Sequence, residues 1–575
     1  MLFCCDADFG VACYANRHQS GARKPYSVYM ALTIGCKSTC NIIDFAHVHF
    51  CTLLYCFQQS VICDLLKTHT CNFRNVVRIF ICHFPPAHNY SCRLCGSESE
   101  AAYLMKTRFN WKDFIKKVAA IAVPVALQNL LTTTGSMVDT MMIAPLGETS
   151  VGAVGLCAQF SSLMFSCYWG FVGGGMLFFS QYWGNRDGDG INRSYGMTLA
   201  FMSVVAITFM ILATCFPHLI MQLYTDKESI QEIGIKYLRV VGFAYPLQIL
   251  AMAMSALLRS TERVRIPLYG AVASVATNIL LNYLLIFGHL GFPAMGIQGA
   301  ALATACAAGV NVLVIVIAAH LQKHPFLLAV NCHFHWNGPA LKEYLRKCFP
   351  IICNELLIGI GMMVINMVLG RQSEQAIAAT AVFRTLEGFV IGFFSGFSNA
   401  ASVLVGKEVG AGHLDDAYDR AVRLVYMCGG CILVCCLFLL AVHGPLLRMM
   451  SLSGESFEIA SGMLAIYCAA AVIRMCNWTQ NDTYRSAGDA AYGTILEITF
   501  MYLMVLPCVC LSGLVFKAPF MLVFACCYID EPIRLVLMQR HMFSGRWVKP
   551  VTPEGRAALP AFLEKHNKRA RKAAA

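Results

Sequence analysis

From Trp111 to about residue 540 the chain alternates apolar segments of membrane-crossing length with short polar breaks. In hydrocarbon every backbone polar group must be satisfied internally, so such a pattern can fold only as a bundle of spanning helices. Twelve segments are expected, at about 114–142, 150–180, 192–217, 230–258, 265–288, 296–321, 345–369, 376–406, 417–442, 456–484, 490–514 and 518–540. Each holds the roughly 20 residues needed to cross a core of about 30 Å. Composition agrees: 57% of residues are hydrophobic and only 13% charged, against about 25% charged in soluble proteins. The net charge of +12 does not imply nucleic acid, because the basic residues sit in short loops and in the stretch from Arg534 to Lys572.

Those loops set an expected orientation. One alternating set carries Arg186, Arg193, Arg259, Arg263, Arg265, Lys342, Arg346, Lys347, Lys407, Arg420, Arg423 and Arg485. The opposite set carries Lys227, Arg371, Arg448 and Lys517. Positive charge stays inside, so both termini are expected in the cytoplasm of a bacterial cell, with the chain in the plasma (inner) membrane. An even number of spans requires the same.

The chain also repeats itself. Pro124 and Pro350, Gly170-Phe171 and Gly396-Phe397, Gly184 and Gly410, and Arg259-Ser260 and Arg485-Ser486 all stand at one common offset. They fall at equivalent places: the proline of an opening helix, the end of the next, and the break after the fourth. Two halves of six spans each must then be parallel, related by an axis along the membrane normal, as in transporters that rock one half against the other. The expected organisation is an all-α polytopic membrane protein: an N-lobe over 105–325, a C-lobe over 326–550 and a basic cytoplasmic tail over 551–575. Residues 1–104 are a Cys/His-rich segment without helical or strand periodicity, read as disordered or as a start codon placed too early, with translation beginning near Met105. Its Cys92 and Cys95 lack a second pair at zinc-site spacing.

Charge inside a span is expensive, about 2.5–3.5 kcal/mol per residue even on insertion scales, and by default marks function. Asp139 ends the first span and Glu355 opens the seventh, KCFPIICNELLIGIG. The eighth carries Arg384 and Glu387, the tenth Arg474, Asn477, Asn481 and Asp482, and the eleventh Glu497. The candidate ion-coupling and substrate-binding residues are therefore Glu355, Asp139, Arg384, Glu387, Asp482 and Glu497. Arg384 or Arg474 is expected to neutralise one of the acids. A carboxylate balanced between burial and a nearby cation can exchange a proton or a sodium ion near neutral pH. A structural ion pair is the competing reading for Glu387 and Glu497, and an interface-snorkelling position for Glu355.

Other motifs offer less. Cys428, Cys431, Cys435 and Cys436 have metal-like spacing but sit in an apolar helix, where cysteine packs as a small hydrophobe. His333 and His335 lie in the central loop. Gly173-Gly174-Gly175 lacks the Lys-Ser/Thr of a phosphate loop and fits close helix contact instead. No nucleotide-binding domain and no nucleophile cluster is recognisable, so neither ATP-driven transport nor an integral-membrane enzyme is expected.

The residues together resemble the MATE (multidrug and toxic compound extrusion) transporters over about 105–550. The matching stretches are VDTMMIAPLG, SQYWGNRDGD, LLRSTERVRIPLYG, LLNYLLIFGHLGFPAMGIQGAALAT, PIICNELL and LVGKEVGAGHLDDA. The resemblance implies twelve helices in two lobes forming a V. It also implies export of organic, drug-like and cationic solutes in exchange for H⁺ or Na⁺, with no other cofactor. Asp139 matches the family's N-lobe acid and Glu355 its seventh-helix acid, while Glu497 falls near a recurring eleventh-helix acid. A lipid or polysaccharide flippase of the related superfamily is the alternative, and it would call for more than twelve helices or a strongly basic central cavity. Expected partners are small-molecule solutes and the lipid bilayer, with no nucleic acid, and the chain is expected to act as a monomer.

Overall fold

The computed structural model describes residues 110–327, 329–450 and 454–574. The readings made of residues 1–104 lie outside the described residues. Every regular element among those described is a helix. In chain order the principal ones are α1 Trp111–Ile143, α2 Glu148–Gly184, α3 Gly188–Cys215, α4 Pro217–Tyr224, α5 Glu228–Val241, α6 Ala244–Ser260, α7 Arg265–Phe287 and α8 Ile297–Leu321. After a linker come α9 Gly338–Leu369, α10 Glu374–Gly410, α11 Leu414–Met449, α12 Gly454–Ser486, α13 Ala490–Phe500, α14 Phe520–Cys526, α15 Glu531–Ser544 and α16 Pro553–Ala574.

Local chemistry sets the starts. The side chains of Asn110, Asp187, Asn337 and Ser373 accept the backbone N–H three residues on, capping α1, α3, α9 and α10. An N-cap of this kind satisfies one of the four free donors of a helix start, contributing about 1 kcal/mol. Pro124 and Pro350 lie inside α1 and α9, where spanning helices tolerate them because neighbours re-satisfy the freed backbone.

Among the described residues ten helices are long and apolar enough to cross a membrane, and eleven if the bent pair α5–α6 counts as one. The expected fourth span is that pair, bent by 50° at Gly242 and Phe243. The expected twelfth is not one helix: the 518–540 stretch breaks into α14 and α15 around a turn at 527–530. Pro519 precedes the first piece, and Asp530-Glu531-Pro532 starts the second, with Pro532 in its first turn. α13 continues to Val515 through two π-helical turns.

α1–α8 form one lobe and α9–α15 the other, and the repeated glycines mark where they meet. A Cβ on Gly170 would collide with the Ile352 backbone of α9, and one on Gly396 with the Ala122 backbone of α1. At the helix ends Gly184 abuts the Lys407 carbonyl and Gly410 the Gln181 carbonyl. Each half thus lends its second helix to the other half's first, and α2 and α10 cross backbone to backbone, which only glycine permits. The largest apolar cluster follows this seam, joining Val125 and Phe179 to Val403, Leu404, Ala421 and Trp547. The end of the bundle bearing the α2–α3, α6–α7, α10–α11 and α12–α13 breaks is here termed the basic end. Among the described residues, the hydrogen bonds and ion pairs joining the lobes lie toward it or near mid-helix. They include Asn129 to Ser395, Thr198 with Tyr344, Arg259 to Asn399, Gln181 to Ser486 and Lys407 to Glu262.

Candidate functional site

Four acids of the C-lobe, Glu355, Glu497, Asp530 and Glu531, line one cavity of about 240 Å³, and Glu387 and Asp482 join them through the arginines of its wall. Glu355, less than two turns past Pro350 on α9, accepts from Arg485 Nη1 at 3.1 Å, and the same nitrogen lies 3.6 Å from Asp482 Oδ1. Ser398 of α10 donates to the other Asp482 oxygen. The amides of Asn354 and Asn481 both donate to Glu497 Oε2, at 3.2 and 3.0 Å. Each of those asparagines is the chain neighbour of a carboxylate, so Glu497 of α13 is tied to the Glu355–Asp482 pair.

Glu497 Oε1 also meets Arg534 Nη2 at 3.2 Å, and Arg534 Nη1 lies 3.2 Å from Asp530 and 3.9 Å from Glu531. Glu531 accepts from Asn477 at 2.8 Å and stands 4.0 Å from Arg474. Arg474 Nη1 donates to Glu387 at 2.8 Å, and Arg384 donates to the other Glu387 oxygen at 2.7 Å while reaching Asn366 at 2.9 Å. Glu387, 4% exposed, is therefore clamped between two guanidiniums, and Arg474 also lies over the Tyr528 ring.

Among the described residues this connected network holds six carboxylates and four guanidiniums. Fully ionised, it carries a surplus of two negative charges. Uncompensated charge in a low-dielectric interior costs several kcal/mol per ion, so the cluster gains by taking up protons or a small cation.

Five of the six sequence candidates fall in this one network, and Asp139 does not. It sits on α1, where Asn282 of α7 donates to it at 2.6 Å and is itself held by Asn278 at 3.2 Å. Among the described residues Asp139 thus has a neutral amide partner and no ion-paired cation.

The pairing differs from the sequence reading. Glu355 is partnered by Arg485, not by Arg384 or Arg474, which share Glu387 instead. Arg485 reads in the sequence as a loop charge, yet it is the penultimate residue of α12 and turns back into the bundle, 12% exposed. Arg534, read as part of the basic tail, is likewise a cavity residue. So are Asp530 and Glu531, which the rule that flags charge inside a span could have found at the centre of the 518–540 stretch.

The repeat locates the asymmetry between lobes. Arg259 is the counterpart of Arg485, but Gln128 and Asn129 stand where the C-lobe has Asn354 and Glu355, and Ala256 where it has Asp482. Arg259, 3% exposed, therefore donates to neutral partners, Gln128 at 2.9 Å and Asn399 of the other lobe at 3.4 Å. Cys428 and Cys436 are buried in an apolar cluster while Cys431 and Cys435 are exposed, so the four point around α11 rather than toward one centre. The His333 ring meets the Phe326 carbonyl at 2.8 Å.

The MatE family model matches the chain twice, over residues 124–284 and 350–510, together more than half of its length and at the offset of the internal repeat. The chain is 23% identical over 418 residues to "Uncharacterized transporter YisQ" of Bacillus subtilis, covering 72% of this chain and 90% of that one. It is 24% identical to "Probable multidrug resistance protein YoeA" of the same species, covering 67% and 83%. With "Probable multidrug resistance protein NorM" of Thermotoga maritima the identity is 22%, covering 76% and 93%. Two solved structures described as MATE superpose at 17% identity. The straight conformation gives a TM-score of 0.68 over 75% of this chain and 96% of that one, and the bent conformation 0.67 over 82% and 100%.

Proposed function

The chain belongs to the MatE family of transporters, and we propose that it is a secondary antiporter exporting organic, drug-like cations in exchange for H⁺ or Na⁺. The observation that carries this reading is the surplus of two carboxylates in the C-lobe ion-pair network, whose four arginines line the cavity. A cluster short of positive charge holds protons or a cation when its surroundings are closed, and releases them when the cavity wets on the side of lower ion activity. Coupling requires that the two conformations differ in affinity for the ion, since only differential affinity shifts a two-state equilibrium.

Glu355 is the best placed to exchange. Its partner Arg485 is shared with Asp482, so a proton or cation on Glu355 leaves Arg485 still paired. Glu387, clamped by two arginines, serves as the fixed anion that holds Arg384 and Arg474 in the cavity wall. Asp139 in the N-lobe is a second exchange site of different chemistry, positioned by the neutral amide of Asn282. Names of relatives as probable multidrug resistance proteins support an organic solute. Positive-inside loops support a cytoplasmic basic end and a bacterial inner-membrane location, and one chain supplies both lobes, in keeping with a monomer. A flippase for lipid or polysaccharide phosphates would want an excess of cations in the cavity, and the imbalance here runs the other way.

The test is efflux of a fluorescent organic cation from cells, comparing Glu355→Gln and Asp139→Asn with the unmodified chain under imposed H⁺ and Na⁺ gradients. Loss of gradient-driven efflux in either variant is expected. Unchanged ion-driven efflux in both would remove the mechanism.

A further inference from the structure

Past α15 the chain does not leave the bundle. Gly545, at φ +68°, turns it back beneath the basic end, where Trp547 is fully buried with its Nε1 donating to the Met542 carbonyl. Four attachments to the C-lobe follow. Lys549 N–H donates to the Ala487 carbonyl at 2.9 Å and its Nζ to Asp489 at 2.8 Å. Thr552 Oγ1 donates to the Gly410 carbonyl at 2.7 Å, and Arg556 pairs with Glu343 at 2.5 Å. Burial alone would raise the Asp489 carboxyl, but hydrogen bonds from His541 and Lys549 and their charges hold it below the usual carboxylate range.

Among the described residues, the segment's hydrogen bond to the N-lobe runs through Val551. Val551 N–H donates to Gln181 Oε1 at 2.8 Å, and Gln181 Nε2 donates across the lobes to the Ser486 carbonyl at 2.8 Å. Gln181 is fully buried. The Val551 side chain is buried in an apolar cluster with Leu177, Phe178 and Met197 of the N-lobe and Tyr344 and Cys348 of α9. The segment is thus mounted on the C-lobe and plugs the N-lobe.

We propose that residues 545–556 form a gate over the basic end, with Gln181 and Val551 as its gating residues, and that residues 485–489 couple it to the Glu355 cluster. This rests on the transporter reading above. The coupling is stereochemical. Arg485 binds Glu355, and the next carbonyl, of Ser486, receives Gln181. The Ala487 carbonyl receives the gate's Lys549 N–H, the Gly488 carbonyl receives Lys347 Nζ of α9 at 2.7 Å, and Asp489 holds the Lys549 ammonium. Five consecutive residues therefore join the exchanging acid to the plug. A proton or cation on Glu355 weakens its hold on Arg485, and any resulting shift of Arg485 moves the carbonyls on which the gate is hung. Opening the basic end requires Gln181 to release both Ser486 and Val551.

The experiment is hydrogen–deuterium exchange with mass spectrometry on the full chain in lipid nanodiscs, alongside cation efflux. In Glu355→Gln, which mimics the occupied acid, exchange at 547–552 is expected to rise roughly tenfold with the middle of α12 unchanged, the equivalent of one weakened hydrogen bond. In Gln181→Ala, which leaves the charged cluster intact, the Val551 amide should exchange several-fold faster and efflux turnover should change by about threefold or more. Gate amides that exchange in Glu355→Gln as in the unmodified chain would overturn the coupling. A freed gate in Gln181→Ala with unchanged transport would reduce the segment to a passive cap and overturn the gating role. A chain that exports no cation at all would fail the antiport reading, whereas the exchange comparison still reads the link from Glu355 to the gate.

Discussion

Replacing Arg485 by methionine probes the charge imbalance of the cavity most directly. The guanidinium is nearly buried, 3.1 Å from Glu355 and 3.6 Å from Asp482. Its loss leaves two carboxylates facing each other and raises the surplus from two to three. Removing one member of a buried pair costs about 3–5 kcal/mol. Glu355→Gln works in the opposite direction. It lowers the surplus to one and leaves Arg485 with Asp482, so its cost is only that of a weakened hydrogen bond, about 0.5–1.5 kcal/mol. The double variant should then cost less than the sum of the two by about 1–3 kcal/mol, the size of coupling measured between residues in direct contact. Denaturant-induced unfolding of the purified protein in mixed micelles reads all four corners of this cycle. If Glu355→Gln destabilises as much as Arg485→Met, or if the two effects simply add, the network is not short of positive charge and the reasoning from surplus to ion uptake fails.

Three further outcomes follow from the geometry. Gly410→Leu places a side chain against the Gln181 carbonyl where two backbones touch, and it should abolish efflux while a substitution at Gly430, which faces open space, leaves it intact. Asn282→Leu removes the amide that donates to Asp139 and should reduce efflux as Asp139→Asn does, with no added loss in the double variant. His324, in the linker after α8, is held at a pKa of about 4 by burial and by Arg263. Its Nδ1 accepts the Leu327 N–H, leaving Nε2 to donate to Thr261. The unfolded chain takes that proton near 6.5 and the folded chain only near 4. Stability is therefore full above about pH 6.5 and falls as pH drops toward 4, by at most about 3 kcal/mol. A thermal-melt series across that window should flatten in His324→Gln.

Hydropathy and the repeat by themselves determine most of the architecture. Helices in hydrocarbon must close their own hydrogen bonds, so span positions are a property of local sequence, and ten of the twelve expected segments are single helices of spanning length. The offset that pairs Pro124 with Pro350 also pairs the glycines at which the lobes cross, because parallel halves must meet at equivalent places. The acids inside spans were equally visible, since burying charge is costly wherever it occurs.

Which charge meets which was not visible. Arg485 and Arg534 lie beside helix ends, where a sequence assigns them to loops. Only the packing of α12 and α15 against α9 and α13 turns them inward, onto Glu355 and Glu497. The broken twelfth segment is of the same kind: its apolar composition suits a span, while the Asp530-Glu531-Pro532 break is stabilised by Arg534 one turn further along α15 and by Asn477 of α12. The C-terminal segment shows the division most plainly. Its local sequence, Gly545 to Arg556, has no periodicity that names a role. It becomes a plug because long-range contacts with Gln181, Ala487 and Gly410 hold it beneath both lobes. Sequence determined the helices and the acids, through hydrogen-bond closure and the cost of buried charge. The tertiary structure alone decided their partners, because pairing depends on which helix ends fold back and on what is brought opposite them.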